Sequence, residues 1–317
     1  MRKMKIVLLG GGGFIGTNLA IHLIEQGNRL TIYEQSEEYF TTLKSLSLPN
    51  TIFRVGSFNI DTDFDAQVKG HDIVYHLVST IIPGNSNKSI INELEANIIV
   101  TAKLLDACVR QKVKQVVFIS SGGAVYGRNV TCPIKEEEQT NPISSYGLEK
   151  LTIEKLLYLY HYQYGLDYRV IRLANPYGPY QRPNGRLGVV TTFIYKAITN
   201  QVLEVFGDGS IVRDFIYIDD AVKAINNIVM HTSDERLFNV GSGRGTSVNN
   251  VIDYIKKSVN KDLQVEYIAS RVTDVPINYL DISKYENMYG KLVNVNFSEG
   301  IRKTAKFLED NYKEYEK

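Results

Sequence analysis

Tyr146 and Lys150 are the residues whose types and spacing could do chemistry together. In Tyr146-Gly147-Leu148-Glu149-Lys150 they stand four apart, which puts both on one face of a helix. A phenol is a poor base at neutral pH, because its ordinary pKa is roughly 10. A neighbouring ammonium, or a cationic nicotinamide ring, stabilises the phenolate and makes the tyrosine a working acid–base group. The pattern is commonplace in isolation. The chain has 21 tyrosines, so one such match needs its position to give it meaning.

A second constellation supplies a partner for that chemistry. Gly10-Gly11-Gly12-Gly13-Phe14-Ile15-Gly16 holds the spacing G-x-x-G-x-x-G between an apolar run and a helical pattern, the context that a dinucleotide fingerprint requires. One glycine permits the tight turn, another lets the backbone approach a pyrophosphate, and a third allows close helix packing. The helix that opens near Phe14 offers free N–H groups and its positive dipole end to the anion. Glu34, at the end of the second apolar run, can accept hydrogen bonds from ribose hydroxyls. Its charge repels a 2′-phosphate, so NAD is expected over NADP.

The elements that must position these groups read as an α/β fold. Strands are expected at 5–9, 29–33, 51–55, 73–77, 115–120 and 168–173. Helical patterns lie at 14–26, 37–45, 90–111 and 146–164. Strands separated by helices imply a doubly wound parallel sheet of the Rossmann type, covered on both faces. Tyr146 follows the fifth strand, where such a sheet presents its carboxyl edge to ligands. After Leu173 the chain becomes loop-rich, at Asn175-Pro-Tyr-Gly-Pro179 and Arg182-Pro-Asn-Gly185, before helical patterns resume at 188–200, 219–231 and 247–259. Two interleaved lobes are expected. An NAD-binding domain over 1–173 takes a return segment at about 212–232, and a smaller α/β substrate lobe is built from 174–211 and 233–317.

Bulk properties exclude other classes. Thirty-six basic and 35 acidic residues leave a net charge of +1 over 317 residues, so there is no electrostatic footprint for nucleic acid or an anionic membrane. Cys108 and Cys132 form no CxxC pair, and no His cluster accompanies them; neither a disulfide framework nor a metal is expected. Arg2, Lys3 and Lys5 before Ile6–Leu9 imitate a signal peptide, but the apolar run dissolves at once into glycines. No run of about 20 apolar residues follows, so no membrane span is expected. The chain reads as cytoplasmic.

Taken in order, these segments resemble the extended short-chain dehydrogenase/reductase family, in particular its NAD-dependent nucleotide-sugar epimerase branch. The likeness covers nearly the whole chain. It is carried by the glycine loop, His76-Leu-Val-Ser79, Asn97, Ser120-Ser-Gly-Gly-Ala-Val-Tyr-Gly127, Tyr146 with Lys150, Asn175-Pro-Tyr-Gly-Pro179 and Arg213-Asp-Phe-Ile-Tyr-Ile-Asp-Asp220. The resemblance implies that Tyr146 takes a proton from a sugar hydroxyl while hydride passes to the nicotinamide, leaving a 4-keto sugar. The keto sugar turns over in the pocket, and hydride returns to its other face. Lys150 holds the nicotinamide ribose and keeps the phenolate stable. Gly10, Gly13, Phe14, Ile15, Gly16, Glu34, Ser57 and Asn97 are the implied cofactor contacts. Asn175, Arg213 and Arg271 are the implied diphosphate contacts, with Asp274 near the nucleoside ribose. Guanidinium forks suit that task, because they pair bidentately with phosphate oxygens. A homodimer formed through the helical patterns 90–111 and 146–164 is also implied.

The chain departs from the family's pattern at several positions. Relatives carry Ser or Thr at the third position of the serine segment, to bond the reacting sugar oxygen; here Gly122 stands there. Ser121 is adjacent, yet neighbouring side chains of an extended strand face opposite ways. Either the strand end bends enough to present Ser121, the candidate third catalytic group, or a water or another hydroxyl substitutes. Gly123 and Ala124 replace the acidic pair that the related dehydratases need, and Ala124 replaces the glutamate of the decarboxylases. Neither can do acid–base work. Gly56-Ser57 replaces a Gly-Asp at the adenine end. Asn278 stands where some epimerases have a bulky tyrosine said to limit the sugar's 2-substituent.

The expected function is therefore C4 epimerisation of a UDP-hexose or UDP-N-acetylhexosamine. A nucleotide-4-keto-sugar reductase is the alternative within the class. A non-catalytic NAD sensor is the alternative outside it, and such a sensor has no need of Tyr146 or Lys150.

Overall fold

The computed structural model describes residues 3–80, 86–87, 89–183, 188–259, 262–270 and 275–311. Its strands, in chain order, are β1 (Lys5–Leu9), β2 (Arg29–Glu34), β3 (Thr51–Val55), β4 (Ile73–His76), β5 (Gln115–Ser121), β6 (Asp167–Leu173), β7 (Asn175–Tyr177), β8 (Leu203–Phe206), β9 (Val212–Tyr217), β10 (Leu237–Val240), β11 (Gly245–Ser247), β12 (Val265–Ile268) and β13 (Ile277–Asn278). Seven of them form one parallel sheet in the order β3-β2-β1-β4-β5-β6-β10.

Alternation along the strands explains the two covered faces. Ile6 and Leu8 of β1 point into one apolar core, with the helices Phe14–Glu25 and Ile218–Met230. Val7 and Leu9 point into the other, with the helices Val100–Arg110 and Ser145–Tyr164. Both faces are buried, so the central strands β1 and β4 are apolar at all but one position each. From β1 the chain winds outward to β3, then crosses back to place β4 on the other side of β1. That reversal opens a crevice beyond the carboxyl ends of β1 and β4, where such sheets bind dinucleotides.

The expected strands and long helices are present, with shifts of one or two residues at their ends. The helical stretch after Ser89 is one continuous run, in which Glu95–Ile99 is wound as a π turn. The smaller lobe places β7 and β13 beside β9 in parallel, with β11 antiparallel to it, and pairs β8 with β12. Its core lies under the helices Val189–Ile198, Val248–Val259 and Phe297–Asn311.

The expected division of the chain needs correction at its return segment. The expected return spans about 212–232; β9 pairs within the small sheet, and β10 is the edge strand of the large one. The stretch that rejoins the large domain is the helix Ile218–Met230 together with β10. Four residues of β10 are too short for a periodic signal, and only pairing with β6 identifies them.

Candidate active site

The glycine loop occupies the crevice. Gly10 leaves β1 with φ +81, a conformation that side chains resist. At Gly12 a Cβ would lie 2.5 Å from the Tyr39 carbonyl oxygen, and at Gly16 it would lie 2.5 Å from that of Gly11. Protein packing explains those glycines. Gly13 is different: a Cβ there would meet nothing nearer than 3.8 Å. The free space lies at the N-cap of the helix Phe14–Glu25, which has no side-chain cap and no acidic residue in its first turn. The amides of that turn therefore lack intrahelical acceptors and suit a pyrophosphate. Glu34 sits at the end of β2 and accepts from the Gly12 N–H at 2.9 Å, so it braces the loop as well as ending the strand. Burial raises its pKa, and the Gly12 hydrogen bond opposes the rise.

The helix Ser145–Tyr164 starts where Ser144 caps it, accepting from the Gly147 N–H at 3.1 Å, and stops at Gly165 with φ +68. It carries Tyr146 and Lys150 to the end of β5. Lys150 is only 4% exposed; its Nζ lies 4.8 Å from the centre of the Phe118 ring and 5.6 Å from that of Tyr146. Burial lowers its pKa to about 8, and the Glu149 charge opposes the fall. Burial pushes Tyr146 up to about 12, Glu149 adds to the rise, and a hydrogen bond with the Ser121 side chain opposes it. Left to itself this phenol holds its proton at neutral pH. A further positive charge is needed to make it a base.

The strand end decides which serine faces the tyrosine. Ser120 turns away, and its Oγ donates to Glu154 at 2.6 Å. Glu154 in turn receives Arg172 at 3.1 and 2.7 Å, a buried ion pair that ties the helix to β5 and β6. Ser121, one residue on, lines the same cavity as Tyr146. Gly122 faces neither. Its N–H donates to the Leu173 carbonyl at 2.9 Å, and a Cβ there would lie 2.6 Å from Leu280 Cδ1. Asn278 lies beneath this turn, buried, donating to the Gly122 carbonyl at 3.3 Å. It is not on the lining of the cavity described next.

A cavity of about 720 Å³ joins the glycine loop to the smaller lobe. Gly10, Gly13, Phe14, Ile15, Gly16, Ser121, Tyr146, Lys150, Asn175 and Arg213 all line it. Asn175 Nδ2 donates to the Asp214 carbonyl at 2.8 Å, and Arg213 Nη1 donates to the Val275 carbonyl at 2.6 Å. Their far wall includes an ion pair that sequence patterning had not suggested, Lys196 to Glu204 at 2.8 Å. Nothing local marks that pair; it forms only because a helix and β8 pack side by side.

Three expected cofactor contacts stand off this lining. Glu34 braces the loop as described. Ser57 accepts from the Tyr33 hydroxyl at 2.7 Å through its carbonyl. Asn97 is buried, donating to Thr80 Oγ1 at 2.7 Å and to the Glu93 carbonyl at 2.8 Å, while its Oδ1 accepts from the Thr80 N–H at 3.2 Å. It shapes the loop after β4. Arg271 and Asp274 lie outside the described residues. Among the described residues no group of His, Cys, Asp or Glu could hold a metal ion, and no helix is long and apolar enough to cross a membrane.

Residues 6–241 match the model of the NAD dependent epimerase/dehydratase family. A putative UDP-glucose 4-epimerase of Methanocaldococcus jannaschii is 33% identical over 308 residues, covering 96% of this chain and 99% of the relative. The UDP-glucose 4-epimerase of Thermotoga maritima, solved with UDP-glucose, superimposes with a TM-score of 0.90 at 33% identity, covering 98% of this chain and 100% of that one. A UDP-N-acetylglucosamine 4-epimerase of Methanobrevibacter ruminantium, solved with UDP-N-acetylmuramic acid, gives 0.88 at 31% identity over the same shares of the two chains.

Proposed function

The chain belongs to the NAD-dependent epimerase/dehydratase family, and from that premise we propose that it epimerises a UDP-hexose or UDP-N-acetylhexosamine at C4. The observation that carries this reading is the meeting of Ser121, Tyr146 and Lys150 on one cavity wall, beside the free helix end at Gly13. Gly13, with the amides of Phe14, Ile15 and Gly16, would hold the pyrophosphate of NAD, and Glu34 would accept from its adenosine ribose. Bound NAD supplies the hydride acceptor and donor for C4.

Tyr146 takes the proton of the sugar's 4-hydroxyl and later gives it back. Proton transfer by a positioned group of this kind is worth about 10²–10⁴-fold. Ser121 shares the cavity lining with the phenol and would hold the same sugar oxygen. Lys150, beside the tyrosine ring, offers the positive charge that favours phenolate. Arg213 and Asn175 bind the diphosphate at the opposite end, and the family resemblance adds Arg271 as a second diphosphate contact and Asp274 as a ribose contact. Holding the nucleotide there leaves the sugar as the part that can turn. Gly123 and Ala124, beside the serine, carry no acid or base for elimination.

The same reading includes a homodimer and a cytoplasmic setting. Ile91, Ile99, Leu148, Leu159 and Tyr162 on the two neighbouring helical runs are exposed, Ile91 at 73% and Tyr162 at 74%. Covering such a surface favours pairing across a two-fold axis. Two cysteines without a disulfide suit a reducing compartment.

The test is to incubate the purified protein with UDP-glucose and with UDP-N-acetylglucosamine, without added cofactor, and to separate the products. Epimers formed under those conditions support the proposal. Absence of conversion, together with NADH oxidation on a 4-keto sugar nucleotide, overturns it in favour of a reductase.

A further inference from the structure

The first turn of the Tyr146 helix is held from outside that helix. Ser145–Tyr164, like any helix, leaves its leading amides without intrahelical acceptors. Ser144 serves one of them, that of Gly147. The N–H of Ser145, the residue just before Tyr146, is served by a group 58 positions away: it donates to Asn87 Oδ1 at 2.7 Å. The contact is returned, because the Asn87 N–H donates to Ser145 Oγ at 2.9 Å. Asn87 presents both groups to this one partner from a backbone at φ +71, a left-handed conformation that asparagine tolerates.

Glu93, on the helix Ile90–Leu94, closes the arrangement. Its buried carboxylate accepts from the Ser145 hydroxyl, from the Asn87 N–H at 3.2 Å and from the Ser89 N–H at 3.1 Å. Three donors on one carboxylate favour its charged form. Hydrogen bonds to a charged acceptor are roughly twice as strong as neutral ones, and an anion beside a helix N-terminus is further favoured by the dipole. One turn on, Asn97 donates to the Glu93 carbonyl at 2.8 Å and to Thr80 Oγ1 at 2.7 Å. Thr80 follows Ser79, which lines the cavity with Tyr146. Glu93 and Asn97 stand four apart on one helical run, and they tie down two parts of the cavity wall, the exit of β4 and the turn that carries the tyrosine. The π turn Glu95–Ile99 falls in this run, a feature frequent at functional sites. Neither Glu93 nor Ser145 lines the cavity itself.

We propose that Glu93 is a positioning residue for Tyr146, acting through Ser145. The carboxylate latches the first turn of the tyrosine's helix to the chain that leaves β4, and so fixes where the phenol stands in the cavity. The proposal rests on the role given to Tyr146 above. A displacement of about one ångström in a reacting group can cost about a hundredfold in rate. Loosening the latch therefore shows in turnover, while groups that only bind cofactor or nucleotide keep their places.

The experiment compares wild type, Ser145→Ala and Glu93→Gln, each also in a Tyr146→Phe background. The readouts are initial-rate epimerisation, NAD content, and amide hydrogen exchange of residues 144–150, which needs no turnover. In both variants kcat is expected to fall about ten- to a hundredfold, with KM for the nucleotide sugar and NAD content unchanged. Residues 144–150 should exchange faster than in the wild type, and residues 153–164 should not. In the Tyr146→Phe background the same substitutions should cost nothing further, because no phenol remains to be placed. An unchanged kcat overturns the proposal. So does an equal loss in the Tyr146→Phe background, which would mark a general loosening of the fold. Faster exchange confined to the first turn, in a protein that turns over no nucleotide sugar, supports the latch and refutes the epimerase assignment alone. Unchanged exchange in such a protein overturns both.

Discussion

Exchanging the roles of Ser121 and Gly122 tests the site most sharply, because family likeness and geometry point in opposite directions. By likeness, serine belongs at position 122, so Gly122→Ser should complete the catalytic group and raise activity. By geometry, a Cβ at 122 lies 2.6 Å from Leu280 Cδ1 and 3.2 Å from the Arg172 carbonyl oxygen. Leu280 is itself fully buried against Val125, Tyr126 and Ile134. Adding atoms to such a cluster typically costs about 1–3 kcal/mol. Gly122→Ser is therefore expected to lower stability in a denaturant titration, without improving kcat. Ser121→Ala removes a hydroxyl that lines the cavity with Tyr146 and holds its pKa down. A hydrogen bond to a group that becomes charged is worth about 1.5–3 kcal/mol, hence a loss of about ten- to a hundredfold in kcat/KM. Its acidic limb should also shift to higher pH, since the bond holds the phenol's pKa down. The assay is initial-rate epimerisation across pH, with NAD content measured by absorbance after denaturation. Restoration of activity when Gly122→Ser is added to Ser121→Ala would refute the reasoning, because it would mean that position 122 faces the sugar.

Three further outcomes are expected. Tyr146→Phe should lose about 10²–10⁴-fold in kcat while keeping its NAD, since the phenol is asked only for proton transfer; retained turnover counts against it. Glu34→Ala should weaken NAD binding by about tenfold or more and narrow its preference over NADP, read by calorimetry. In the wild type, binding should also weaken as pH falls through the raised pKa of Glu34, because protonation removes an acceptor; that decline should be absent in the variant. Tyr162→Arg combined with Leu159→Arg should convert the proposed dimer into a monomer in light scattering, by placing charge on the exposed stripe.

Much of this protein is legible in its sequence. The glycine loop, Glu34 and the six strands up to Leu173 announce themselves through short-range patterns, because apolar periodicity and turn chemistry act within a few residues. Tyr146 and Lys150 are equally local, as their pairing needs only one turn of helix. Tertiary structure decided the rest. Residues 237–240 look like nothing in particular until β10 docks on β6 and extends the large sheet. Asn97, expected at the cofactor, is engaged with Thr80, a partner that sequence spacing does not reveal. Whether Ser121 or Gly122 meets the tyrosine depends on how β5 ends, which is set by Ser120 bonding Glu154 on one side and Leu280 filling the space beside Gly122 on the other. Glu149 shows the same limit: in the sequence it is one more charged residue on a helix, and only the fold buries it completely. Local bonding dictates which elements form; burial and side-chain direction depend on contacts between distant residues, and those decide which groups face the substrate.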